Sequence, residues 1–198
     1  MGTYDELVAE ATGAPLSGWE LGERLVDAGT PWSYQGRASE LIAAATGPVL
    51  ELGTGDTAQD AAVVLSWHEP YRPEEVARVL GPGGVFLTEQ AGGLDGLSIN
   101  ESLEAPFDES ASDWSLGTAR AALESAGLQI AQSRTAFPER VFHDVGALIY
   151  FLRITPRQVP DFSVERYDKQ LRILHDQMSA GEPFRDRAVR FLIEAVRS

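Results

Sequence analysis

The stretch Val49-Leu50-Glu51-Leu52-Gly53-Thr54-Gly55 is the part of the sequence that decides the fold. Its first four residues predict a short buried strand, and Gly47-Pro48 separates that strand from the segment before it. Glycines directly after a strand let the backbone approach a ligand that a Cβ atom would exclude. A glycine pair of this kind also occurs at ordinary strand ends, so it indicates a ligand site only in combination with other segments.

Two further apolar segments predict strands of the same sheet. Residues 61–66 and 85–88 form these strands, and a helix that begins at Pro73 lies between them, followed by a tight turn over 81–84. The segments are too continuously apolar for one-sided antiparallel strands, so we expect the three strands to lie adjacent and parallel. The alternation of strands and helices predicts an α/β fold with a doubly wound, mostly parallel sheet.

Apolar periodicity predicts further elements outside this core. The predicted helices span 37–45, 114–126, 144–153 and the residues from Ser163 to Met178, and the predicted strands span 128–135 and 188–196. The N-terminal residues 1–30 contain five glycines and predict no long element. Residues 91–113 are polar, and we expect them to form a long loop over the site.

Composition favours a small-molecule partner. The 198 residues carry a formal net charge of −14, which repels phosphate backbones and anionic lipid, so nucleic acid is not an expected partner. The chain contains no cysteine, which excludes disulfides, thiolate zinc sites and a cysteine nucleophile. Its three histidines lack the spacing of a metal site, and none is expected.

The sequence also shows neither the features of a signal peptide nor those of a membrane span. The first ten residues hold three acids and no basic residue, unlike a signal peptide, and no apolar run approaches the roughly 20 residues of a membrane span. We therefore expect a cytoplasmic protein without a membrane segment. The length suits a single domain over 1–198, with an N-terminal helical region at 1–46, a core at 47–90 and a closing part at 91–198.

Three segments together resemble the class I S-adenosylmethionine-dependent methyltransferases. They are Glu-Leu-Gly-Thr-Gly at 51–55, Val-Val-Leu-Ser-Trp-His-Glu at 63–69 and Arg-Val-Leu-Gly-Pro-Gly-Gly at 78–84. In that family the first is the initial motif, the second matches the fourth strand with the loop leaving it, and the third begins the fifth strand. The resemblance covers roughly residues 34–90, and from 91 onward only the order of elements agrees.

The resemblance implies S-adenosylmethionine as cofactor and a specific set of site residues. Gly53 and Gly55 would pass under the methionine part of the cofactor, and Glu51 would orient its amino group. The cofactor-binding residues that the resemblance implies are Glu51, Gly53, Thr54, Gly55, Ser66 and Trp67. The segment 66–69 would line the methyl-transfer site, where His68 and Glu69 are the candidate catalytic residues.

Several other residues are candidates for contacts with a ligand. Glu89 and Gln90 follow the strand over 85–88 and could touch substrate or cofactor. Trp32, Tyr34 and Trp67 could stack on adenine or substrate, although aromatic residues lie more often in the core.

The chain departs from the family by its length after the glycine motif. Thr57 stands where the family usually has a third glycine. Two strands with their helices, ~50 residues, are expected between the motif and the fourth strand, but only nine residues run from Gly53 to Ala61. The fold is therefore expected to be truncated by an internal deletion. Neither the acid that holds the ribose nor the segment that flanks adenine has a counterpart.

Two further predictions follow from this shortening. We expect weak cofactor affinity, because nothing obvious holds the ribose. We also expect a homodimer, or a strand exchanged between chains, at the sheet edge that the missing strands leave exposed.

Two other functions stay open beside methyl transfer to a small molecule. The chain could be a degenerate, non-catalytic family member kept as a binding or oligomeric protein, which the missing elements favour. A nicotinamide-dependent oxidoreductase is the weaker alternative, because its G-x-G-x-x-G pattern would need a glycine where Ala58 stands.

Overall fold

The computed structural model describes residues 2–53 and 59–198. The helices of this part are α1 Tyr4–Gly13, α2 Tyr34–Ala44, α3 Pro73–Val79, α4 Leu97–Leu103, α5 Leu116–Ser125, α6 Val145–Ile154 and α7 Val164–Ser179. The strands are β1 Leu25–Asp27, β2 Val49–Glu51, β3 Ala61–Trp67, β4 Leu80–Ala91, β5 Leu128–Ala136, β6 Glu139–Phe142, β7 Phe184–Arg187 and β8 Arg190–Arg197. Among these described residues, no helix combines the length and apolarity that crossing a bilayer requires.

The chain divides into two compact units, each assembled from separate stretches of sequence. One unit comprises the described residues of 1–29, 96–108 and 138–188, and the other those of 30–95, 109–137 and 189–198. The second unit contains every predicted site residue that the structure describes. The interpretation of 1–198 as a single domain stays a prediction.

A five-stranded sheet forms the centre of the second unit. Its strand order is β2-β3-β4-β8-β5, with β2, β3 and β4 parallel and β8 antiparallel to both of its neighbours. Four strands therefore point one way and β8 points the other. The predicted mostly parallel α/β sheet is therefore confirmed. The strands β2, β3 and β4, which resemble the first, fourth and fifth strands of the family, are adjacent as predicted.

The shortened connection lies between β2 and β3. Val49 pairs with Val63 and Glu51 with Leu65, so the two strands are direct parallel neighbours. Only residues 52–60 join them, fewer than the dozen or so that a helical crossover needs. Within the described residues, β2 is the last strand on its side of the sheet. The fold is the truncated one that the sequence predicts.

Helices cover both faces of this sheet, as the doubly wound prediction requires. On one face, Tyr34, Ala38 and Leu41 of α2 pack with inward residues of β3, β4 and β8. On the other face, Val76 of α3 and Leu123 of α5 pack with alternate residues of the same strands. The alternation of side chains along each strand fixes which polar residues share a face.

The glycine-rich segment before the third predicted strand differs from the prediction. The predicted tight turn over 81–84 is wrong, because β4 already begins at Leu80 and runs through these residues. Its pairing with β3 shifts between Ala61 and Val63, so the extra residues form a bulge. Gly84 is required there, since a Cβ atom would lie 2.6 Å from the carbonyl oxygen of Ala61.

Two segments that were predicted to lack long elements contain helices. Residues 4–13 form α1, which begins at a capping box made by Thr3 and Glu6. Residues 97–103 form α4, so the prediction of an uninterrupted loop over 91–113 is wrong. The apolar side chains of Ile99 and Leu103, which are fully buried, supply the packing that stabilises this short helix.

The first unit carries a three-stranded antiparallel sheet of order β1-β6-β7. Its core is formed by α1, α4, α6 and α7 together with the strands. Asp144 caps α6 by accepting a hydrogen bond from the Ala147 amide at 2.9 Å. The same carboxylate receives two hydrogen bonds from the Arg24 guanidinium, at 2.6 and 2.9 Å, which join the turn before β1 to this helix.

Candidate functional site

The candidate site lies where β2, β3 and β4 end. Strand pairing places Ser66 opposite Thr88 and Trp67 opposite Glu89. Because parallel strands end at the same edge of a sheet, the polar residues that follow them come together there. The structure thereby brings Glu51, Gly53, the segment 66–69 and Glu89 to one edge of one unit.

Gly53 has a backbone conformation that favours glycine. Its φ angle is +95°, and a Cβ atom at this position would lie 3.3 Å from Cγ and 3.4 Å from Cδ of Glu69. The glycine therefore leaves a narrow space against the Glu69 side chain that any other residue would occupy. Two sites predicted from separate segments, Gly53 and Glu69, are thus direct neighbours.

A buried polar network holds the loop that leaves β3. The Ser66 hydroxyl donates to the Glu69 carbonyl at 3.0 Å, and the Gln90 amide nitrogen donates to the same carbonyl at 3.0 Å. Gln90 also contacts the hydroxyl oxygens of Ser66 at 3.2 Å and Thr88 at 2.8 Å. Ser66 is fully buried, so the structure shows it positioning the loop, and its cofactor contact stays a prediction.

His68 occupies the left-handed region of backbone space, with φ at +57°. Non-glycine residues adopt this conformation uncommonly, although histidine does so more often than most, and strained residues of this kind cluster at functional sites. The His68 amide donates to the Glu89 carbonyl at 2.9 Å. Its ring Nε2 lies 3.6 Å from Oε1 of Glu89, and the ring centroid lies 5.3 Å from that of Trp67. The imidazole is therefore directed at a carboxylate.

Glu89 is a nearly buried carboxylate surrounded by ring N–H donors. Its Oε2 accepts a hydrogen bond from the indole nitrogen of Trp32 at 2.5 Å. Burial alone would raise the pKa of Glu89, but the neighbouring ring N–H groups of His68, Trp32 and Trp67 outweigh it and lower the pKa below 4.5. Glu89 consequently carries a negative charge at neutral pH.

Tyr34, at the start of α2, places a neutral phenol near the carboxylates of Glu51 and Glu89. Tyr34 is 7% exposed, and its hydroxyl is buried without a well-formed hydrogen bond to any described residue. Burial raises the pKa of Tyr34 to about 12, and the charges of Glu51 and Glu89 raise it as well, whereas the Ser66 backbone lowers it. The hydroxyl therefore keeps its proton at neutral pH.

A cavity of about 340 Å³ opens next to Gly53. Its walls come from β2, from the segment before α3 and from α3 itself, and comprise Leu50, Leu52, Gly53, Pro70, Tyr71, Arg72, Glu75, Val76, Arg78 and Val79. Glu75 and Arg78 form an ion pair at 2.8 Å on its rim. The volume falls in the range of small-molecule sites.

The structure describes some of the remaining predicted site residues and not others. Thr54 and Gly55 lie outside the described residues. Trp67 is 49% exposed, which leaves its ring accessible. The positions of Trp32 and Tyr34 beside the site carboxylates could not be derived from spacing, because α2 and β4 meet only in the folded sheet. In the described part of the chain, no cluster of three or more His, Asp or Glu side chains could hold a metal ion.

The chain is similar to several solved structures. A candidate methyltransferase from Bacillus halodurans is 14% identical over 73% of this chain and 67% of its own, with a TM-score of 0.45. The YcgJ protein from Bacillus subtilis is 20% identical over 71% of this chain and 66% of its own, at 0.40. The YjhP protein from Escherichia coli is 14% identical over 85% of this chain and 93% of its own, at 0.41.

These likenesses are distant. The chain spans about two thirds of the length of the first two proteins, and 55 or 56% of three further matches. At TM-scores below 0.5 they carry no argument about function. No protein-family model and no curated protein matches the chain. The resemblance to class I methyltransferases is carried by this chain's own motifs and by the order of the strands that bear them.

Proposed function

We propose that the chain transfers a methyl group from S-adenosylmethionine to a small-molecule acceptor at the carboxyl ends of β2, β3 and β4. The observation that carries the proposal is the conformation of Gly53, which has a positive φ and lies so close to Glu69 that a Cβ atom would be 3.3 Å from the Glu69 Cγ. This narrow backbone approach follows a parallel strand, which is where α/β sheets bind their ligands.

The residues present fit one end of this cofactor better than the other. Gly53 leaves room for the methionine part, and Glu51 at the end of β2 would hold its amino group. The cavity beside Gly53 would take the nucleoside part between Leu50, Tyr71 and Val76. The described residues include no counterpart of the family's second strand, whose terminal acid holds the ribose, so we expect low affinity for the cofactor.

His68 is the group that would take a proton from the acceptor. The bound cofactor supplies an electrophilic methyl group, and alignment of the acceptor is the main requirement for transfer. With Nε2 directed at Glu89, His68 would keep its other ring nitrogen, Nδ1, as the base. The distance of 3.6 Å is long for a hydrogen bond, as is common before a substrate binds.

Calorimetric titration with S-adenosylmethionine and S-adenosylhomocysteine tests the proposal. Loss of a charged hydrogen-bond partner costs about 1.5–3 kcal/mol, so binding should be roughly tenfold to hundredfold weaker than in a site that holds the ribose. Micromolar or tighter binding would show that another segment holds the ribose. No saturable binding at millimolar cofactor would favour the alternative, a degenerate non-catalytic protein.

Four other expectations belong to this proposal and stay predictions. They are the small-molecule nature of the acceptor, the cytoplasmic location, the absence of a nucleic-acid partner and a homodimer through the edge at β2. Val49 on that edge strand is 41% exposed, which gives light scattering of the wild type and Val49→Lys a direct test of the dimer.

A further inference from the structure

We infer that the ligand this site takes beside the cofactor is a small organic cation that carries an ammonium group. The inference names the acceptor class, and to that extent it rests on the proposed function. It is carried by the charges, the aromatic rings and one buried hydroxyl at the ends of β2, β3 and β4.

The charges at this edge are negative. Glu69 is exposed, and its carboxylate makes no hydrogen bond or ion pair with any described residue. Glu89 is ionised, and its hydrogen bond comes from the Trp32 indole rather than from a lysine or arginine of the described chain. Glu51 ends the neighbouring strand. A ligand with a net negative charge would be repelled here, whereas a cation is attracted, and the net charge of −14 assists its approach.

Aromatic rings accompany these carboxylates. The indole nitrogen of Trp32 donates a hydrogen bond to Glu89, and Trp67 is close enough to help lower the pKa of the same carboxylate, which places two tryptophans around one charge. Half of the Trp67 surface is exposed and available to a ligand. A tryptophan face is the strongest aromatic partner for an organic cation, and combinations of aromatic rings recognise ammonium groups in other proteins.

Tyr34 supplies an independent observation. Its residue is more than nine-tenths buried, and its hydroxyl makes no well-formed hydrogen bond to any described residue although it lies near Glu51 and Glu89. An unsatisfied buried hydroxyl costs free energy, and its oxygen carries a partial negative charge that favours a cationic ligand beside it. The positive charge of an ammonium group, whether protonated or quaternary, is attracted by the phenol oxygen and by the carboxylates together.

A matched pair of probes tests the inference without the cofactor. Choline and its neutral carbon isostere 3,3-dimethylbutan-1-ol have the same shape and each give a nine-proton NMR singlet. We expect protein at tens of micromolar to broaden the choline singlet saturably and to leave that of the isostere unchanged. Equal broadening of the two singlets, or none of the choline singlet, overturns the inference.

Variants locate the binding at this edge. Glu69→Gln and Trp67→Leu change exposed side chains and should weaken choline binding about tenfold. Glu74→Gln, an exposed acid in the first turn of α3, is the matched control and should bind as the wild type does. If Glu69→Gln and Trp67→Leu bind choline unchanged, the cation site lies elsewhere and the inference is wrong.

The two proposals can fail separately. If the protein binds choline through Glu69 and Trp67 but does not bind S-adenosylmethionine, the cation site is supported and methyl transfer is contradicted. If it binds the cofactor but does not prefer choline over the isostere, methyl transfer is supported and the ammonium acceptor is contradicted.

Discussion

The indole nitrogen of Trp32 lies 2.5 Å from Oε2 of Glu89, and this bond joins the segment before α2 to the carboxyl end of β4. The two residues are 57 positions apart in the sequence. Glu89 also faces the ring of His68 across 3.6 Å, so one carboxylate fixes side chains from separate parts of the unit. The candidate site is therefore ordered around a charge that the protein itself has largely buried.

Removing the Trp32 donor should destabilise the fold through this bond. A hydrogen bond to a charged group contributes about 1.5–3 kcal/mol, so Trp32→Phe should lower the free energy of unfolding by an amount in that range. The double variant with Glu89→Gln should show a coupling of at least about 1 kcal/mol in urea unfolding. Trp114→Phe, whose ring packs on Tyr71 and Phe191, is the control and should add to Glu89→Gln independently. Additivity of the Trp32 pair would contradict the account.

A side chain at position 53 should weaken cofactor binding as well as lower the free energy of unfolding. Gly53→Ala and Gly127→Ala both place a Cβ at positive φ, which costs about 1–2 kcal/mol. Only at Gly53 does the Cβ meet another side chain, Glu69, whereas Gly127 has nothing within 4 Å. We expect similar losses in unfolding free energy, and at least about tenfold weaker cofactor binding for Gly53→Ala only. Equal binding by the two variants would remove Gly53 from the site.

Filling the cavity tests whether it holds the nucleoside part of the cofactor. Glu75 lines the cavity, and Glu74 is also exposed on α3 but does not line it. Glu75→Trp should weaken cofactor binding at least about tenfold by occupying part of the volume, whereas Glu74→Trp should not. Isothermal calorimetry on the two variants compares them directly, and unchanged binding by Glu75→Trp would place the nucleoside outside this cavity.

Acid should unfold the protein through carboxylates whose pKa values are depressed in the fold. Burial opposes the shift in Asp144, but hydrogen bonds from Arg24 and from the Ala147 amide lower its pKa below 3.8, and the pKa of Glu89 is lowered likewise. The unfolded chain then binds more protons between the folded and unfolded pKa values, so stability rises with pH in that window.

The measurement for this prediction is urea unfolding between pH 6 and pH 3. The stabilisation should be present above about pH 5 and should be lost progressively as the pH falls below the ordinary carboxyl values. Asp144→Asn should make the loss less steep, and Asp161→Asn, at an exposed position, should not. A pH profile that is unchanged by Asp144→Asn would show that this carboxylate does not control acid unfolding.

The central sheet could be predicted because its strands are encoded locally. The segments 61–66 and 128–135 are continuous or periodic apolar runs, and each became a strand with nearly the predicted bounds. Helix α7 began at the predicted cap Ser163, because a capping serine and an apolar stripe both act over one or two turns.

The smaller sheet was missed because its strands carry no local signal. Phe184–Arg187 reads Phe-Arg-Asp-Arg, and Glu139–Phe142 contains Arg140, yet Arg140 and Asp186 are buried and paired with each other across the two strands at 3.5 Å. In a local stretch of sequence, charged residues such as these are typical of exposed loops. Their burial becomes favourable only when tertiary structure brings the opposite charge alongside.

For the candidate site, the sequence predicted which strand ends matter but not how their side chains are bonded. Gly53, His68 and Glu69 followed from motifs that act within a few residues. The bond from Trp32 to Glu89 depends on how α2 packs on the sheet, which no local pattern encodes. The same limit applies to the Tyr34 hydroxyl, whose surroundings come from three different elements.

Saturation-transfer NMR with S-adenosylmethionine tests the central claim, that the Gly53 turn holds the methionine end of this cofactor. With the wild type, the sulfonium methyl and the methionine side-chain protons should receive saturation from the protein alongside the adenine protons. In Gly53→Ala the methionine signals should be lost, and in Gly127→Ala they should persist. Methionine signals of unchanged strength in Gly53→Ala, or none with the wild type at millimolar cofactor, would contradict the account.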